Sequence, residues 1–144
     1  GTKFSQSNPS STINYPGTYE DAITVGAYDT KNNTIWPPSS RGPLLDSSQK
    51  PDILAPGVDI IAPYPGNRYA MITGTSAASS YTAGAVALFL QYILVDNIYP
   101  EKAFVQNIVT YLKTGATRES NISYPNESYG YGILNIRGAF EQLR

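Results

Sequence analysis

A chain of 144 residues is long enough for one compact domain with a modest core. Its net charge of -1 offers no polybasic face, so neither nucleic acid nor an anionic membrane is expected as a partner. Cysteine and histidine are both absent, which excludes a disulfide framework, a thiolate metal site and a cysteine nucleophile and removes the commonest general base at neutral pH.

The 12 glycines and 11 prolines point to many turns rather than a helical bundle. The polar start, through Ser11, has no apolar core of a signal peptide. Tyr15-Pro16-Gly17 reads as a turn, and Ala22 to Tyr28 as a short buried strand. Lys31 to Asn33 is a turn, and Pro37 to Lys50 a loop. Asp52 to Ala55 and Val58 to Ala62 are two short strands split by Pro56-Gly57. Tyr64 to Arg68 is a tight turn, with a strand from Tyr69 to Ile72 after it. The longest predicted helix runs from Ser76 to about Val95. Its small residues on all sides suit the centre of a domain. The apolar run Ala83 to Val95 is interrupted by Gly84, Gln91 and Tyr92. It therefore reads as a buried core helix and not a membrane span.

Pro100 suits the first position of a second helix, with Glu101 after it. Ala103, Val105, Ile108, Val109 and Leu112 form its stripe, ending near Gly115. Ser120 to Tyr131 is a loop. Gly132 begins a strand-like segment that leads into a short helix, Ile136 to Leu143. The expected class is α/β, a parallel-sheet portion with a central helix and C-terminal helices, with too few strands for a whole doubly wound sheet.

Chemistry is suggested at Gly74-Thr75-Ser76-Ala77-Ala78. Gly74 lets the backbone turn, and Ser76 falls in the first turn of a helix, where backbone N–H groups lack partners. Those donors and the helix dipole favour an oxyanion beside a serine nucleophile. Alone, the same string is more often a simple N-cap made by Thr75 or Ser76.

The context shifts that balance. Residues 74 to 84 resemble the serine block of the subtilisin-like proteases, GTSMAxPHVAG. Ile23 to Ala27 resembles the family's ITVGA strand, Ser39 to Pro43 its SSRGP loop, and Lys50 to Val58 its KPDIxAPGV segment. Gly130 to Asn135 resembles the closing GxGxLN segment. These ordered matches span roughly residues 15 to 138. The family's Met, Pro and His after the serine are here Ala77, Ser80 and Tyr81. A narrower resemblance, to clostridial Csp-type subtilases, rests on Pro16-Gly17-Thr18, Thr82 to Leu88, Tyr111 to Arg118 and Tyr124 to Asn126. That group is linked to spore germination, which implies an extracellular or spore-associated place.

The resemblance implies a serine endopeptidase acting on protein or peptide, with Ser76 as nucleophile. It implies that residues 1 to 144 are the C-terminal portion of one catalytic domain. The catalytic Asp and His and the oxyanion-hole Asn then belong to an N-terminal remainder, and this chain alone is inactive. Uncovered faces would favour self-association. A pseudoprotease or binding scaffold is the competing expectation. Thr75 is implied as a further oxyanion donor, with an N-cap as its alternative. Asn14 is implied at the floor of the S1 pocket, with a turn role as its alternative. Gly84 is assigned to helix packing. Asp29, Asp52 and Asp59 are expected to be structural carboxylates on strands or loops away from the serine. No cofactor is expected, and the sequence has no compact calcium loop.

Overall fold

The computed structural model describes residues 8–95 and 105–143. Within them, β1 (Val25–Asp29), β2 (Thr34–Ile35) and β3 (Ile53–Pro56) form one sheet in the order β2-β1-β3. β1 and β3 run parallel, with Val25 opposite Ile53 and Ala27 opposite Ala55. β4 (Ile60–Tyr64) and β5 (Arg68–Ile72) form a separate antiparallel hairpin. α1 (Thr75–Leu90) follows and continues as a π-helical turn over Gln91–Val95. α2 (Val105–Gly115) and α3 (Ile136–Glu141) complete the chain. Helices over a parallel strand pair make this an α/β fold, as expected.

β1 starts at Val25 instead of Ala22, because the Thr24 amide is committed to the Asp52 carboxylate and not to a ladder. β2 was not expected. It returns through a turn in which Asn33 adopts φ 52°, and pairs Thr34 with Asp29. The strand-like start at Gly132 is reduced to bridges from Ile133 to Leu54 and Thr117. The expected Pro100 start of α2 lies outside the described residues. Asn135 caps α3, its side-chain oxygen accepting from the Gly138 amide at 2.9 Å.

The main core gathers Ile53 from β3, Phe89 and Ile93 from the α1 run, Ile108 and Leu112 from α2, and Ala139 and Leu143 near the chain end. Phe89 stacks at a tilt on Phe140, ring centres 5.0 Å apart. α1 buries Ala78, Thr82, Ala85 and Phe89, a stripe at helical spacing that lies on β1 and β3.

Its opposite face is open, which corrects the reading of a buried core helix and agrees with the expectation of uncovered faces. Ser80, Ala83, Gly84, Ala87 and Leu88 are exposed, Leu88 at 59%. The run Thr75–Val95 is, at 21 residues, also long and apolar enough by composition to cross a membrane, against the shorter span weighed from sequence. Core helices of soluble domains meet the same criterion.

Candidate active site

The site forms where β5 hands over to α1. Gly74 is the N-cap of α1 and adopts φ 155° and ψ 167°, a region essentially confined to glycine. Its carbonyl accepts from the amides of Ala77 at 3.1 Å and Ala78 at 3.3 Å, which starts the helix one residue earlier than expected. Thr75 and Ser76 are therefore the first two helical residues, and no side-chain cap bond is made. Neither acts as the N-cap. Their amides lie ahead of the first intrahelical bonds, where helical N–H groups have no carbonyl one turn back.

Ser76 is exposed. It lines a cleft of about 340 Å³ with Ile60, Ala62, Ile72, Ala77 and Tyr81. Thr75 faces a second recess of about 170 Å³, shared with Ile13, Asn14, Gly17, Thr24 and Pro51. The structure thus brings Asn14 and Thr75 to one recess, and Ser76, the next residue after Thr75, to the other. The apolar wall of the first cleft comes from the β4–β5 hairpin. Its contribution was not legible beforehand, because the register of the hairpin decides which face Ile60 and Ile72 occupy.

The three carboxylates stand apart from both recesses. Asp29 accepts from the Asn32 side chain at 2.7 Å, and this bond holds its carboxyl below the usual aspartate range. Asp59 pairs with Lys31 at 2.6 Å, and the ammonium of Lys31 is raised by that bond. Asp52 is a structural carboxylate just before β3, in keeping with its expected place, but it is buried. It is 2% exposed and lies between two ammonium groups, Lys50 Nζ at 2.8 Å and Lys113 Nζ at 2.8 Å. A carboxylate at the foot of a buried strand needs such partners. Gly84 packs on no other helix among the described residues, where a Cβ would meet nothing within 4 Å.

Comparison with known proteins defines the class. Residues 2–132 match the Subtilase family. Subtilisin DY of Bacillus licheniformis is 33% identical over 133 residues, covering 92% of this chain and 42% of its own length. Subtilisin BL of Lederbergia lenta is 36% identical over 129 residues, 90% of this chain and 41% of its own. The solved structure of the Clostridium perfringens CspB protease superposes with a TM-score of 0.91 at 32% identity, over 99% of this chain and 31% of that one. The fold and these likenesses are those of subtilisin-like serine proteases. The chain belongs to the subtilase family, and it spans less than half the length of these relatives.

Proposed function

We propose that this chain is the serine-bearing C-terminal portion of a single subtilase catalytic domain, and that in the assembled enzyme Ser76 attacks the scissile carbonyl of a protein or peptide to form an acyl-enzyme. The observation that carries this reading is the exposed Ser76 at the second position of a helix entered through Gly74, with unpaired-position amides beside it. The Ser76 amide donates to the developing oxyanion. Thr75 is assigned as a further donor. Asn14 is assigned to the floor of the pocket for the side chain before the scissile bond, on the strength of the recess it shares with Thr75.

Ser76 has no imidazole base within this chain, which contains no histidine. An unassisted serine hydroxyl is a weak nucleophile, and in subtilisin itself loss of the triad histidine lowers kcat by about 2 × 10⁶. The chain alone is therefore assigned as inactive. Its partner is an N-terminal remainder that supplies the Asp, the His and the oxyanion Asn. The open, uncharged outer face of α1 supports such a partner, and without it that face favours self-association. Neither cofactor nor structural metal enters the proposed mechanism. The likeness to the CspB protease supports an extracellular or spore-associated place.

A binding scaffold without turnover is the second reading. It is favoured by Ala77, Ser80 and the half-exposed Tyr81 at positions where the family carries Met, Pro and His. A fluorophosphonate probe separates the two. The full-length protein should be labelled at Ser76, and labelling should vanish in Ser76→Ala and in the 144-residue chain alone. Folded full-length protein that resists the probe would leave the scaffold reading in place.

A further inference from the structure

The wall of the Asn14 recess is tied to a buried charge cluster. Asp52 Oδ2 accepts from Lys50 Nζ at 2.8 Å and from the Thr24 amide at 2.7 Å. Lys50 Nζ also donates to the Ala22 carbonyl at 2.7 Å. Thr24 then passes the restraint on. Its hydroxyl donates to the Gly17 carbonyl at 2.6 Å. Gly17 is packed so closely that a Cβ there would lie 3.1 Å from the Asn14 carbonyl oxygen and 3.4 Å from Thr24 Cγ2. Asn14, Gly17 and Thr24 all line the recess next to Thr75.

The cluster has few alternative arrangements. Lys50 is 6% exposed and Asp52 is 2% exposed, so each charge depends chiefly on its protein partners. A buried ion pair contributes little net stability but strongly favours the one geometry that satisfies it. Here that geometry fixes residues 22 and 24, and through Thr24 the turn that carries Gly17 and Asn14. Lys113 Nζ, on α2, holds the other carboxylate oxygen at 2.8 Å and prevents rotation of the group.

We infer that Lys50 and Asp52 are positioning residues for the wall of the Asn14 recess, and that they set which side chain before the scissile bond the enzyme accepts. This rests on the assignment of that recess as the pocket for that side chain. The pair touches no substrate. It acts through Thr24 and Gly17.

The test uses the full-length enzyme and peptide p-nitroanilides that differ only in the residue before the cleaved bond. Lys50→Met and Asp52→Asn should raise KM for the preferred residue by about fivefold, the size of one lost hydrogen bond, and flatten the preference among residues. Their kcat and their rate of fluorophosphonate labelling should stay within about twofold, since the serine helix is not altered. A general loss of folded protein would lower the amount of active enzyme without changing the ranking of substrates. Thr24→Val deletes the hydroxyl bond to Gly17 and leaves every charge in place, so it should flatten the preference too, even if Asp52→Asn fails to fold. Asn14→Asp serves as the control and should shift the preference toward basic side chains. If Asn14→Asp shifts the ranking while Lys50→Met and Thr24→Val leave it unchanged, the inference is overturned and the pocket assignment stands. If Asn14→Asp also leaves the ranking unchanged, both are overturned.

Discussion

The amide of Gly74 donates to the carbonyl of Gly57 at 2.7 Å, joining the residue after β3 to the residue that starts the serine helix. The contact is tight enough that a Cβ on Gly57 would lie 2.9 Å from the Gly74 carbonyl oxygen and 2.7 Å from the Ala27 Cβ. Gly57→Ala should therefore push the helix start away from the sheet. The expected cost is about 1–3 kcal/mol of stability, the usual price of overpacking. Displacement of Ser76 should slow fluorophosphonate labelling of the full-length protein roughly 10- to 100-fold. Urea unfolding and labelling kinetics check the two effects separately. Normal values for both would show that this junction does not position the serine.

Much of this junction was legible in the sequence. Pro56-Gly57 and Gly74-Thr75 are punctuation of a kind that local chemistry forces, and the breaks fall within about two residues of the expected places, with Pro56 ending β3 and α1 starting at Thr75. A parallel sheet in an α/β fold was expected, but nothing in the sequence named β1 and β3 as the pair. One further thing was not legible. The role of Asp52 depends on Lys113, 61 residues further along the chain, and no local pattern announces such a partner. The open face of α1 agrees with the expectation of uncovered faces, though composition alone, a stripe of small uncharged residues, reads as buried.

Gly74 makes a different demand from Gly57. A Cβ at Gly74 meets only the Ser76 amide nitrogen, at 3.9 Å, so space is available. The obstacle is φ 155° with ψ 167°, which disfavours any side chain. Gly74→Ala should cost about 1–3 kcal/mol through backbone strain alone. Equilibrium unfolding of the full-length variant measures it. A stability equal to that of the parent would mean that the junction relaxes into an ordinary extended conformation at no cost.

Tyr28 gives a pH signature. It is 6% exposed, and its hydroxyl lies 3.2 Å from Glu119 Oε1. Burial, and after it the Glu119 charge, push its pKa up to about 12. The fold thus favours the neutral phenol over the phenolate. The stability this contributes is fully present below the ordinary tyrosine pKa of about 10 and is lost as pH rises through about 12. A difference titration at 295 nm between the parent and Tyr28→Phe should show the missing phenol ionising near pH 12. Glu119→Gln should move that transition only part of the way down, because burial is the larger cause. A transition at the ordinary value would place the Tyr28 ring in water.

The outer face of α1 offers the sharpest test of the proposed N-terminal remainder. Nothing lies within 4 Å of a Cβ built on Gly84, and Leu88 one turn later is 59% exposed. Among the described residues, then, nothing stands against the Cβ of a Gly84→Phe side chain. If an N-terminal remainder packs on this face at protein density, the same substitution inserts a ring into a filled interface. Full-length Gly84→Phe should then lose about 1–3 kcal/mol by overpacking, more than a helix glycine gains from its replacement. It should also release the remainder more readily, so limited proteolysis should cut between the two parts sooner than in the parent. Unchanged unfolding and unchanged proteolysis would mean that the face stays open in the whole protein. On the proposed reading, a histidine and an aspartate serving Ser76 would then approach from the side of the β4–β5 hairpin, across the cleft lined by Ile60, Ile72 and Tyr81.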